Sequence, residues 1–412
     1  MKTIRTIFVL CWGLLIFSCD TEDTVEPNYE DYFVKYYGEE GNQQGVDIEM
    51  LPDGYLLIGN SRTTGGSKGI FVVHTDLQGN RISYGTLNSA SSELNAVDAV
   101  SDDAGNLFIV AESLPTEENV DIYIAKISIG SISGEITPQN EITFSMGDLE
   151  EDVPQSITHL SNGDIIVTGY TTAVDVDKPE GTSSQDETDI LAIRLDAGLN
   201  LYPENQWRRI YGQDQPDYGH GMIEKDGEYL FFASSNYASD PATQAGLHLM
   251  VFPVNEIGIV NGGYKTFGSD LNEYGRAIIG TSEGGSLLIG DSNSRILLTR
   301  LNAHNEAVGF PTTVGKVDVK ARAVFAAVNG GYLVAGNWSD INNQDFYLAK
   351  IGINYELEWE RTFGGLDQDN VSRVCQSEDG SVMLVGTILL ESQEKMCMIK
   401  LNPDGDLQPV SN

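Results

Sequence analysis

Cations are scarce in this 412-residue chain: 24 lysines and arginines face 61 aspartates and glutamates, a formal charge of −37. Such a field repels nucleic acid, anionic headgroups and polyanionic glycans unless cations bridge them, so no nucleic-acid partner is expected. Cysteine is scarcer still, with four residues, and no CxxC or Cys/His cluster suggests structural zinc. The five histidines (His74, His159, His220, His248, His304) show no metal-ligand spacing, and no nucleophile elbow is present. Neither a metal nor a cofactor is expected. No internal apolar run approaches the roughly 18 residues of a membrane-spanning helix. Helical periodicity is missing too, which leaves an all-β chain.

What is present begins with a processing segment, "MKTIRTIFVLCWGLLIFSC". Lys2 and Arg5 form a basic n-region, Ile7 to Phe17 a short apolar stretch, and Ser18-Cys19 its end. This ending resembles the lipobox of bacterial lipoproteins, although Ile16 and Phe17 replace the usual Leu and small residue. The resemblance implies removal of residues 1–18, acylation (palmitate) of Cys19 and a membrane attachment through lipid alone. Loss of Lys2 and Arg5 leaves the mature chain at −39. Residues 19–30, "CDTEDTVEPNYE", are acidic and aperiodic and read as a solvated tether. Asp20, Glu22 and Asp23 resemble the surface-export signal of Bacteroidota lipoproteins, which implies an outer-membrane anchor facing the cell exterior. Only Cys375 and Cys397 then remain in the folded part, too few for a disulfide scaffold.

The folded part is repetitive. A tight turn and an apolar strand ending in a small residue recur seven times: "DGYLLIG", "AGNLFIVA", "NGDIIVTG", "DGEYLFFA", "GGSLLIG", "GGYLVAG" and "DGSVMLVG". A short strand-like run precedes each, and a third strand such as "DIYIAKIS" or "DFYLAKIG" follows each. Most units close on an aromatic-rich run such as "WRRIYG", "YKTFG" or "WERTFG". Four short strands per unit, seven units of about 50 residues each, predict a seven-bladed β-propeller over residues 31–406, with 407–412 as a tail. We label the strands of a blade A to D. The seventh unit lacks D, while "FVKYYG" (Phe33 to Gly38) stands alone at the start as a spare D run. The N-terminal strand is therefore expected to complete the last blade and cover its open edge.

Runs such as "WERTFGG", "GGYLVAG" and "DFYLAKI" resemble the propeller repeats of Bacteroidota surface lipoproteins. That resemblance implies a propeller displayed at the cell surface, often an accessory to an outer-membrane protein complex, and supplies no catalytic residues; the chain is expected to be non-enzymatic.

In such a ring the A strands line the channel, and the B–C and D–A connections share one face. The B–C loops are expected to be long and variable, from about five residues near Asp291 to roughly twenty between Thr171 and Asp189, and to form the working face. His220, Arg276 and Arg322 begin A strands, with Arg373 nearby. They either bind a carboxylate at the channel mouth or neutralise the acidic loops around them. Tyr170, Tyr237 and Trp338 are expected as exposed loop aromatics that stack on sugars or anchor a partner, unless they pack over their own blades. The acidic stretches "DVDKPEGTSSQDETD" and "DQDN" lack the spacing of a calcium loop and read as solvated. "SDDAGNLF" matches a sialidase Asp-box once, at an A–B turn, and reads as coincidence. Two functions stay open, a scaffold for a protein partner and a glycan- or ligand-capturing protein, with a glycan-active enzyme a distant third.

Overall fold

The computed structural model describes residues 31–62, 66, 68–116, 119–146, 150–173, 188–202, 207–213, 215–237, 246–269, 271–341 and 343–408. The signal segment, Cys19 and the tether lie outside them, as does most of the long loop after Thr171. The seven small-residue repeats are the B strands of seven antiparallel sheets arranged as a β-propeller. The A strands are Asn42–Leu51, Glu93–Ser101, Asp152–His159, Asp217–Lys225, Glu273–Gly280, Val319–Ala326 and Asn370–Gln376. B strands lose water on both faces because neighbouring blades cover them. Leu56, Leu57 and Ile58 are wholly buried, which is why these strands read as continuous apolar runs rather than alternating ones.

The small residue ending each B strand has a specific cause. Every A strand carries a one-residue bulge near its start, and the paired registers skip Val46, Val97, Gln155, His220, Arg276, Arg322 and Ser372. The residue before each skip sits opposite the small one, as Gly45 does to Gly59 and Val371 to Gly386. The kinked A strand presses its backbone there: a Cβ on Gly59 would come within 2.0 Å of the Gln44 carbonyl, and one on Gly386 within 2.0 Å of the Asn370 carbonyl. Only Gly or Ala fits opposite a bulge of this kind.

The next B-strand residue ties blade to blade. Asn60 Oδ1 accepts the Ala96 N–H at 2.7 Å, Ser234 Oγ that of Gly275 at 2.7 Å, and Asn337 Oδ1 that of Val371 at 2.8 Å. Asp291 does the same for Ala321 and Thr387 for Gly45, at 2.5 and 3.0 Å. Each acceptor satisfies an N–H freed by the bulge. Between the second and third blades the corresponding residue is Pro154, which has no N–H to satisfy.

The D–A connections follow a second rule. Asp217, Glu273 and Asp369 are buried and accept the N–H four residues upstream, from Gln213, Ser269 and Gly365. The glycine closing each aromatic D run lies against the same cluster. A Cβ on Gly212, Gly268 or Gly364 would reach within 2.2 Å of Asp189, His248 or Asp345.

Phe33–Tyr37 pairs antiparallel with Gln393–Leu401, from Phe33 opposite Lys400 to Tyr37 opposite Met396, and completes the seventh blade as its outermost strand. Cys375 and Cys397 are buried free thiols on strands separated by Val382–Leu390. One sheet has a fifth strand. Gly134–Glu135, from the C–D connection of the second blade, pairs in parallel with Arg81–Leu87 on the first, and buries Ile132 and Ile136. That strap covers an outer edge.

Four B–C connections correct the expectation of long loops: those after Thr116, Ser292, Asp340 and Leu390 hold two residues each. In the fifth blade Asn293 and Ser294 both take positive φ (48° and 58°), the type I′ geometry that suits a strand hairpin. The sequence misleads there because Asp291 and Ser292 are polar yet buried within the strand. Among the described residues no helix is long and apolar enough to cross a membrane.

Candidate binding site in the central channel

The seven A strands enclose a channel cavity of about 960 Å³, lined from every blade. His220, Arg276 and Arg322 occupy the bulge positions of three consecutive blades, and all three line it. Arg373 lines it too, one residue past the seventh bulge, because Ser372 takes the skipped position. The structure thus brings together all four basic candidates. A bulge explains their placement, since it turns an extra side chain out of the ladder beside a pocket.

Charge is unevenly distributed around the ring. On one side Arg373 bridges Asp47 (Nε–Oδ1 2.7 Å) and Asp98. Both aspartates are also held by backbone N–H groups, Asp47 by Ala99 and Asp98 by Ile157. Burial works against the Arg373 charge, yet Asp47 and Glu49 more than offset it and keep the guanidinium above the usual arginine range. Glu49 accepts hydrogen bonds from the Ser101 N–H and hydroxyl at 3.1 and 2.6 Å. Even so, burial and then Asp47 push its carboxyl up to about 7. Arg373 is held by both aspartates through Nε and Nη2, and this sector is acidic.

The sector formed by blades four to six is basic. Arg276 Nε donates to Asp291 Oδ2 at 2.7 Å, and Asp291 is buried with its other oxygen on the Ala321 N–H. Among the described residues no hydrogen bond or ion pair engages Arg322, which faces channel water. The protein surrounding it, and then Arg276, pull its pKa below the usual arginine range, with Asp291 opposing. His220 is pushed down to about 3 by burial and then by Arg276, and is neutral near pH 7.

His220 Nε2 lies 2.7 Å from Ser234 Oγ, which superficially resembles a base with its nucleophile. Ser234 is buried, however, and its Oγ also accepts the Gly275 N–H at the blade contact. A histidine with so low a pKa is also a weak base at neutral pH. The arrangement is suited to holding an anion.

The aromatic candidates sit elsewhere. Tyr170 and Trp338 lie within strands, Ile165–Thr171 and Tyr332–Asp340, not in loops, and neither lines the channel. Tyr170 packs edge-on against Tyr218, with ring centroids 5.3 Å apart, and Trp338 lies under the Lys316 ammonium at 4.8 Å. Tyr237 follows Ser235, to whose hydroxyl its N–H donates at 2.9 Å. All three are half-buried. The hairpins run further than the sequence suggests, so residues past the small B-strand position remain in the ladder. Asp47, Asp98, Glu49 and Asp291 escaped the sequence reading. One signal was available: "GVDIEM" and "AVDAVS" carry the same Val-Asp pair at the bulges of the first two blades.

No family model matches the chain, and no curated protein matches it. Among solved structures it is similar to a protein of unknown function from Dyadobacter fermentans, at TM-score 0.51 and 12% identity. That match covers 77% of this chain and 96% of the other. It is also similar to a puromycin hydrolase, at TM-score 0.52 and 11% identity, over 84% of this chain and 50% of the hydrolase. At such identities the likeness concerns the fold alone.

Proposed function

We propose that this chain is a non-enzymatic scaffold, anchored to the outer membrane by a lipid on Cys19 and displayed at the cell surface, which docks a protein partner over its channel mouth. The carrying observation is the composition of that mouth. On the B–C/D–A face the turns of blades four to seven expose Leu271, Val317, Ile341 and Leu366, the last two 93% exposed; the opposite face exposes Ile257, Phe310 and Ile353 as well, so what distinguishes the first face is the basic sector at the starts of its A strands. Leu271, Val317, Ile341 and Leu366 share that first face with the basic sector of the channel, in an otherwise acidic protein, although none of the four lines the cavity itself. Exposed apolar side chains beside a charged recess are a common form of protein interface. The acids of the opposite face are engaged locally, as Asp76 and Asp196 are with the N–H groups of their own turns.

The test is copurification after gentle detergent extraction. Ile341→Asp with Leu366→Asp should lose the partner by more than about tenfold, as expected for desolvated interface residues, with the melting temperature preserved. Asp404→Lys on the far face should retain it. Loss with the second variant but not the first would reverse the face. A second arm follows the anchor: Cys19→Ala should no longer incorporate labelled palmitate.

A further inference from the structure

We propose that the basic sector of the channel is a binding site for one carboxylate, held by Arg322 and Arg276, and that its occupant is an acidic side chain on an apolar-flanked loop of the docking partner. The inference rests on the partner-docking reading above and names what the partner must present.

Three observations carry it. The first is a charge count. Arg276 and Arg322 contribute two positive charges, Asp291 removes one, and neutral His220 adds none. The sector holds a single uncompensated positive charge. One carboxylate neutralises it, whereas a doubly charged phosphate would leave an excess negative charge beside Asp291 in an already acidic protein.

The second is availability. Arg276 commits its Nε to Asp291, and Asp291 has both oxygens engaged. Arg322 has a whole guanidinium facing the cavity with no protein partner among the described residues. A planar fork of donors is suited to a carboxylate entering from the channel.

The third is direction. On blades one and two of the same cavity Asp47, Asp98 and Glu49 repel an anion, and Arg373 is paired with the two aspartates. A carboxylate therefore has one side of the channel to settle on, which fixes the orientation of whatever carries it. The connections on that face expose Leu271, Val317, Ile341 and Leu366. Exposed apolar side chains favour a peptide loop over a sugar acid, whose ring hydroxyls would need polar partners. Tyr170 and Trp338, the aromatic candidates for stacking on a sugar, are already packed against Tyr218 and Lys316.

The test uses the full mature chain and four probes: the capped peptide Ac-Leu-Glu-Leu-NH2, its Gln counterpart, glucuronate and inorganic phosphate. Calorimetric titration should show the Glu peptide binding at least about tenfold more tightly than the Gln peptide, the scale of one charge-assisted hydrogen-bonded pair. Arg322→Gln should erase that difference, Arg322→Lys should restore part of it, and Lys316→Gln, outside the channel, should leave it unchanged. Equal binding of the two peptides, no binding of either, or an unaffected Arg322→Gln protein overturns the carboxylate site. Glucuronate binding as tightly as the Glu peptide overturns the peptide occupant in favour of an acidic glycan. Tighter phosphate binding overturns the single-charge argument. Copurification separates this inference from the reading beneath it. A partner that is retained by Arg322→Gln but lost with the Ile341 and Leu366 variants leaves the docking face standing and removes only the carboxylate.

Discussion

Glu49 carries the most strained charge in the channel, because burial and then Asp47 raise its pKa to about 7 from an ordinary value of 4.5. A carboxyl whose folded pKa is raised favours its protonated form in the fold. Its contribution to stability is complete below about pH 4.5 and is lost as pH rises towards about 7. Glu49→Gln keeps an acceptor for Ser101 and removes the charge. The variant should be more stable than the parent at pH 8, by about 1–3 kcal/mol, and lose that advantage near pH 4.5. Thermal melts at the two pH values check this, and a pH-independent difference would contradict the assignment. The blade contacts offer a paired test at the same scale. Asn337→Ala strands the Val371 N–H in a buried interface, which should cost about 1–3 kcal/mol. Glu112, the corresponding residue beside Pro154, has no N–H to satisfy there, so Glu112→Ala should cost less in urea unfolding. At the residue scale the sequence was half legible. The small residue ending each B strand was visible as a repeat, but the bulge behind it was not. An extra strand residue leaves no mark on composition, which is why Ser372 rather than Arg373 holds the seventh bulge.

The elements themselves were easier to read than their details. Strand number and the missing D run follow from counting, since a propeller blade with an open edge needs a partner strand. The pairing of Phe33–Tyr37 with Gln393–Leu401 is that partner, and it buries Phe33 and Tyr37 against the last blade. Deleting residues 31–38 should expose that edge, lower the cooperativity of thermal unfolding and promote aggregation. Deleting residues 21–28 should change the melt little, and equal melts for the two deletions would mean that the ring closes without its first strand. Connections were legible only where a turn has a fixed chemistry, as in the A–B turns. A B–C hairpin closed by Asn293 and Ser294 reads as an extended polar loop, because buried polar residues such as Asp291 are indistinguishable in sequence from solvated ones. The strap that adds Gly134–Glu135 to the neighbouring blade gave no sequence signal either. Two residues paired in parallel depend on contacts from another unit.

For the molecule as a whole, the closing strand also sets the face from which the chain would reach the proposed anchor. Phe33 lies opposite Lys400, next to the C–D turn, and the strand runs from there towards Tyr37 opposite Met396. Chain preceding Phe33 therefore leaves from the A–B/C–D face. A lipid on Cys19 would connect through the 12 residues 19–30, which reach at most about 40 Å when fully extended. On the proposed lipid anchor, entry on that face would turn the A–B/C–D turns towards the bilayer and the basic channel mouth away from it, open to the proposed partner. The orientation can be measured on the acylated chain in vesicles containing a headgroup quencher. Cys375 and Cys397 do not interfere, since both are buried and burial raises their thiol pKa values well above the usual range. A dye on Asp404→Cys, exposed in the C–D turn of the last blade, should be quenched strongly. The same dye on Leu366→Cys, at the channel mouth, should be quenched weakly. The opposite ranking would place the mouth against the membrane, where no partner loop could enter it.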